Sequence, residues 1–263
     1  MSEKSKIEWT DATWNPVTGC TKLSPGCAHC YAEAFAKRFR GVSDHPYEQG
    51  FDLKLWPERL DLPLVWKERK MIFVNSMSDL FHDDVPDDFI GKVFDSMCRA
   101  KHHIFQVLTK RSDRMLNWTL KYFSSDRSRK DGKAAWPENV WLGVSLENQD
   151  YTWRIKHLQK SPAYIGFISI EPLLSPIFLD ESLLDGIQWV IVGGESGPRA
   201  RPMKPEWVYE IQKQCNKYRV PFFFKQWGTF DASGNRVGKK AAGRILDGKT
   251  WDEVPLSLSN LTG

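Results

Sequence analysis

Six short runs of apolar, β-branched and aromatic residues recur along the chain, and each is apolar throughout instead of alternating. They are "MIFVNSM" (71–77), "HIFQVLTK" (103–110), "VWLGVSLE" (140–147), "YIGFISIEP" (164–172), "IQWVIVGGE" (187–195) and "VPFFFKQW" (220–227). A strand with one wet face alternates, whereas a strand covered on both faces has no reason to. The runs therefore predict parallel strands buried between other layers. Helical spacing falls between most of them. Within 87–101, Phe89, Val93 and Met97 form one stripe and Ile90, Phe94 and Cys98 another. "KPEWVYEIQKQCNKY" opens with Pro205, a favoured first-turn residue, and places Ile211 and Cys215 on one face. Cys98 and Cys215 thus read as small buried apolar groups. Strand and helix in alternation predict an α/β fold, open or closed into a partial (β/α) barrel of parallel strands. The stretch 40–70, with Pro46, Pro57 and Pro63, reads as an irregular insertion. Residues 228–263 read as a peripheral cap on a single domain spanning 1–263.

Composition bounds the setting. With 41% hydrophobic and 27% charged residues the chain matches ordinary globular proteins. No apolar run reaches the ~20 residues a membrane-spanning helix needs. The start, "MSEKSKIEWTDATWNP", lacks the apolar core of a signal peptide, so the expectation is a cytoplasmic protein with no membrane partner. A formal charge of +4 permits a polyanionic partner without requiring one. Basic residues gather in "FAKRFR", "LTKRSDR" and "SSDRSRKDGK"; Arg127, Arg129 and Lys130 of the last read first as a solvated loop.

Each apolar run ends in reactive groups. The first gives Asn75, Ser76, Ser78 and Asp79, and the second Thr109, Lys110 and Arg111. Then come Ser145, Glu147 and Asn148, followed by Glu171, by Gly193, Gly194, Glu195 and Ser196, and by Lys225 and Gln226. In parallel α/β folds ligands bind at the carboxyl ends of the strands, where the loops converge. "VGGESG" offers glycines for close approach to an anion, but it carries neither the P-loop lysine pattern nor the dinucleotide fingerprint. Arg199 and Arg201 beside it suit a phosphate or carboxylate, and equally an exposed surface.

Three of the five cysteines, Cys20, Cys27 and Cys30, crowd into "GCTKLSPGCAHC" just before a helical run. In a reducing compartment such clusters point to metal or catalysis before disulfides. A structural zinc site wants four ligands; His29 sits awkwardly between its neighbours, and Cys98 and Cys215 lie on helix faces. Three ligands with an open position suit a catalytic metal or a [4Fe–4S] cluster with one iron left for an outside ligand.

"GCTKLSPGCAHCYAEAFAKR" resembles the cluster loop of radical SAM enzymes, in particular the branch related to spore photoproduct lyase. "FQVLTKRSDRM", "VWLGVSLEN" followed by Arg154, and "ISIEPLL" resemble later strands of that branch. The whole chain is similar to a family of phage and bacterial three-Cys-motif proteins, through "WNP", "TGC", "SMSDLFH", "GGESG", "KQWG" and the "AAGRILDGKTWDEVP" tail. Six residues, Thr21 to Gly26, separate Cys20 from Cys27, a longer gap than the usual loop carries, whereas Cys27 and Cys30 keep the usual spacing.

The resemblance implies that Cys20, Cys27 and Cys30 ligate a [4Fe–4S] cluster and that S-adenosylmethionine (SAM) binds the fourth iron. An external electron donor would drive SAM cleavage to a 5′-deoxyadenosyl radical. It implies Asp79 and Ser76 for the SAM amino group, Ser145 and Arg154 for its ribose and carboxylate, and His29 near its adenine. Glu171, Glu195 and Lys225 are left as candidate catalytic residues, and Lys110, Arg111, Arg199 and Arg201 as substrate contacts. The relatives' chemistry on a DNA lesion makes a nucleic acid or nucleotide the leading substrate class, for repair or modification. Two other classes remain open. A divalent-metal barrel hydrolase would use Asp79, Glu147, Glu171 and Glu195, and a zinc knuckle would belong to a non-catalytic nucleic-acid-binding protein.

Overall fold

All six apolar runs become strands of one seven-stranded sheet in the computed structural model, which describes residues 4–124 and 134–255. Arg127, Arg129 and Lys130 lie outside the described residues, as does the end of the tail. The strands are β1 (Ala12–Trp14), β2 (Met71–Val74), β3 (Ile104–Thr109), β4 (Val140–Leu146), β5 (Gly166–Ile170), β6 (Trp189–Gly193) and β7 (Phe222–Gln226). Their spatial order follows the chain from β1 to β7, and the pairs β1–β2, β2–β3, β5–β6 and β6–β7 are parallel with defined register. Adding each parallel strand at the same edge is the winding of a (β/α) barrel, not of a doubly wound sheet. The fold class is a partial barrel of this kind. Strand β1 escapes the sequence pattern because three residues are too few to show one.

The chain resolves into two compact units: Met1–Gly143 with Lys160–Ile165, and Val144–Gln159 with Gly166–Gly263. Unit one holds β1 to β3 and the helices α1 (Tyr31–Ala36), α2 (Asp87–Arg99) and α3 (Ser112–Tyr122). The stripe of α2 is buried at Phe89, Ile90, Val93, Phe94 and Met97. Cys98, expected inside that stripe, is only half-buried, because it sits at the stripe's edge. Phe94 packs its ring 4.8 Å from Trp118 and 5.6 Å from Trp136, an aromatic core worth more than its area alone.

Unit two holds β5 to β7 with α4 (Trp153–Gln159) and α5 (Pro205–Tyr218). Every residue of β5 and β6 is buried, which is why those runs never alternate. Helix α5 buries Val208, Ile211 and Cys215, and burial pushes the Cys215 thiol up to about 12, so it stays protonated. The tail packs on these strands: Phe224 donates its N–H to the Trp251 carbonyl at 2.9 Å, and Trp189 Nε1 donates to the Glu253 carbonyl at 2.7 Å.

His103, just before β3, makes unit one sensitive to acid. It is fully buried; Nδ1 accepts from the Lys70 N–H at 3.2 Å, so Nε2 carries the proton it gives to the Pro63 carbonyl at 3.0 Å. Burial, and then the neighbouring His102, lower its pKa to about 4. The neutral form is the one the fold accepts. An unfolded histidine titrates near 6.5, so stability is fully present above that pH and declines as pH falls from about 6.5 towards about 4. The expected loss is on the order of 3 kcal/mol. Urea denaturation at pH 7 and pH 4.5 checks it: His103→Gln should be less stable at pH 7 but lose less on acidification.

Candidate functional site

The cysteine loop of unit one begins at a glycine that has no alternative. Gly19 has φ +83°, and a Cβ there would lie 2.1 Å from the Asp52 carbonyl oxygen. Its N–H donates to the Met77 carbonyl at 3.1 Å, and the Cys20 N–H to the Phe51 carbonyl at 3.2 Å. The loop is therefore stitched to the segment that leaves β2. Pro25 to Cys27 form a single 3₁₀ turn, and Cys30 immediately precedes α1. Cys20, Cys27 and Cys30 are free thiols, all half-buried.

The exits of β2 and β3 brace this loop. Asp79, beyond β2, is buried, and its carboxylate accepts four hydrogen bonds. The donors are Thr109 Oγ1 (2.7 Å), the N–H groups of Phe81 (3.0 Å) and Lys110 (3.1 Å), and Arg111 Nη1 (3.3 Å). Arg111, also buried, reaches the cysteine loop: Nη1 lies 3.5 Å from Cys20 Sγ, and Nη2 donates to the Thr21 hydroxyl (2.9 Å) and carbonyl (3.3 Å). His82 Nδ1 accepts from the Asp84 N–H, leaving Nε2 to donate to the Thr21 hydroxyl at 2.8 Å. Asn15 Oδ1 accepts from the Met77 N–H (3.0 Å) and the Ser76 hydroxyl (3.2 Å), and Tyr31 donates its hydroxyl to the Ser76 carbonyl. His29 is half-buried on the loop itself.

These surroundings set the thiols apart. Burial, then the charge of Asp79, push Cys20 up to about 11 against the pull of Arg111. Burial also raises Cys30, opposed by backbone hydrogen bonds from Glu33 and Ala32. Cys27 is buried too, yet it is lowered, because the Lys110 charge and hydrogen bonds from Leu23 and Ser24 outweigh burial. Cys27 is thus the readiest thiolate, and its charge is felt by both other thiols. The donor set fits an iron–sulfur cluster in kind: three thiols outside any disulfide on one loop, with the Arg111 guanidinium against Cys20 and the Lys110 charge lowering Cys27. Among the described residues, no three His, Cys, Asp or Glu side chains are already gathered as metal ligands.

Unit two carries the other strand-end residues, and it pairs them. Lys225 Nζ lies 2.8 Å from Glu171 Oε1, and Ser169 donates its hydroxyl to Glu171 Oε2 at 3.0 Å. The pair crosses Gly193, where a Cβ would come within 2.7 Å of Glu171 Oε1. Arg201 clasps the buried Glu195 through Nε (2.8 Å), Nη2 (2.6 Å) and its backbone N–H (2.8 Å), so this guanidinium is already committed to a carboxylate. Arg154 and Glu147, 1% and 0% exposed, form a buried pair at 3.1 Å, and Arg154 also donates to the Ser145 carbonyl at 2.9 Å. Arg199 is exposed.

The structure thus brings Cys20, Asp79 and Arg111 into one hydrogen-bonded group, with Lys110 close enough to act on Cys27. It gives Asp79, Arg154 and Arg201 ion-pair partners within their own units. Sequence reasoning passed over Asn15, Thr21 and His82 as bracing residues, although they lie in the quoted "WNP", "GCTKLSPGC" and "SMSDLFH" stretches.

Comparison with known proteins gives two matches. A family model described as "Protein of unknown function (DUF5131)" matches residues 4–255. Among solved structures, the chain is similar to a spore photoproduct lyase complexed with dinucleoside spore photoproduct, at 11% sequence identity and a TM-score of 0.36. That alignment covers 78% of this chain and spans 60% of the lyase chain. The comparison with curated proteins returns no match.

Proposed function

The chain belongs to the family described as "Protein of unknown function (DUF5131)", and from that premise we propose that it is a radical SAM-type enzyme. In this reading Cys20, Cys27 and Cys30 hold a [4Fe–4S] cluster. The observation that carries it is the set of three free thiols on one loop, with Arg111 against Cys20 and Lys110 acting on Cys27. The radical SAM-like spacing of Cys27 and Cys30 and the downstream motifs point the same way. Three protein thiolates leave one iron of a cubane cluster open to an outside ligand. When bound, cluster and SAM together supply one-electron cleavage of SAM; the protein supplies position and shelter.

Its own residues divide that work. Arg111 and Lys110 offset the negative charge of the thiolates, and Asp79 fixes Arg111. His82 and Thr21 hold the start of the loop. Ser76 and His29 are proposed SAM contacts from unit one. In unit two the Glu171–Lys225 and Glu195–Arg201 pairs are proposed to meet the substrate, with the exposed Arg199 suited to acidic groups such as those of a nucleotide or nucleic acid. An external one-electron donor completes the requirement.

Anaerobic reconstitution with iron and sulfide tests this reading. The protein is expected to take up iron and sulfide in equal amounts, close to one cluster per chain, and Cys27→Ala, Cys20→Ala and Cys30→Ala to lose most of it. Zinc bound in place of iron by the wild-type chain would overturn the proposal.

A further inference from the structure

We infer that Arg111 is a positioning residue of the cysteine loop whose N–H···S contact with Cys20 raises the reduction potential of the metal centre held there. This rests on the cluster reading above and extends it to a residue that sequence alone had placed with the substrate.

Arg111 sits at the junction of two networks. Its side chain is 6% exposed, and its guanidinium fork is filled on one side by Asp79 (3.3 Å) and on the other by the Thr21 hydroxyl (2.9 Å), with Cys20 Sγ (3.5 Å) between them. Asp79 is itself fixed by Thr109 and by the N–H groups of Phe81 and Lys110. The guanidinium therefore has little freedom to turn away from the sulfur. A substrate would have to displace Asp79 or the loop to reach it.

A buried cation serves an anionic sulfur better than a neutral one, and a charge-assisted N–H bond is roughly twice as strong as a neutral one. Reduction adds one negative charge to an iron–sulfur centre. A fixed positive group bonded to one of its sulfurs stabilises the reduced form more than the oxidised one, and hydrogen bonds to sulfur are among the main determinants of such potentials. Thr21 plays a different part: its hydroxyl ties the loop to Arg111, and its carbonyl accepts from Arg111 Nη2 at 3.3 Å and from Cys20 Sγ at 3.4 Å.

The experiment is a redox titration, followed by EPR, of the anaerobically reconstituted full chain with dithionite as reductant. Wild type, Arg111→Gln and Arg111→Lys are compared. In Arg111→Gln the ratio of reduced to oxidised cluster at a fixed potential should fall at least tenfold, a shift of about 59 mV for a one-electron couple. Arg111→Lys keeps a cation beside Asp79 and so preserves the fold. It should shift in the same direction by less, with iron content unchanged. Equal potentials in wild type, Arg111→Gln and Arg111→Lys, with the cluster present in each, would overturn the role of Arg111 and leave the cluster reading standing. A wild-type chain that assembles no cluster would overturn both, and the iron content shows which has happened.

Discussion

Asp79→Ala is expected to lower the unfolding free energy by roughly 3–5 kcal/mol, the range for removing one partner of a buried ion pair. Its carboxylate accepts from four donors, each of which would be left inside the protein without it. The costliest is Arg111, whose positive charge would remain buried with Asp83 only 3.8 Å from its Nε as the next carboxylate. Asp79→Asn keeps an acceptor oxygen and should cost less. Urea denaturation reads both variants: the midpoint should fall for Asp79→Ala while the slope against denaturant stays unchanged, as expected for lost stability without a change in the unfolded state. A loss below about 1 kcal/mol, the scale of exposed ion pairs, would show that water reaches the site and that Asp79 does not brace Arg111. The effect should carry into the cysteine loop, because Arg111 holds Thr21 and Cys20 from the same guanidinium.

Gly19→Ala is the second large effect. Its backbone at φ +83° is strained for any residue with a Cβ, and the added carbon would meet the Asp52 carbonyl at 2.1 Å. That neighbour is backbone, so no side-chain rotation relieves the clash. Left-handed strain alone costs on the order of 1–3 kcal/mol, and displacing two chain segments adds to it. The loop should detach from the 51–52 segment, taking Cys20 with it. Proteolysis and thermal melting would report the loss, and cluster uptake should fall even though all three thiols remain. Gly41 is the comparison: it also has positive φ, at +77°, but open space around its Cβ position, so alanine there should cost only the backbone term. Similar losses at both positions would mean that close approach at Gly19 is not what sets its identity.

Much of this architecture is legible before any coordinates. The six long strands announce themselves because parallel strands covered on both faces must be apolar throughout, and β5 and β6 are buried at every position. The three-cysteine loop is equally plain, because three thiols in eleven residues have few other uses. Pairing between the strand ends is not legible. A carboxylate such as Asp79 looks the same in sequence whether it faces a ligand or an arginine thirty-two positions away. Adjacent parallel strands bring 79 and 111 together, and only tertiary structure shows that the fork of Arg111 closes on Asp79 and Cys20. Arg154 and Arg201 teach the same lesson: each guanidinium is held by a glutamate of its own unit. His82 and Thr21 were invisible for a different reason, since a hydroxyl and an imidazole joined across sixty-one residues leave no local signature.

The most direct test of the central claim is the EPR spectrum of the anaerobically reconstituted, dithionite-reduced protein with and without SAM. The expected result is a [4Fe–4S] signal whose shape changes when SAM is added, the sign of one iron that the protein leaves open. A reduced cluster whose spectrum ignores SAM, or a colourless zinc protein silent in EPR, would contradict it and return the three cysteines to a structural role.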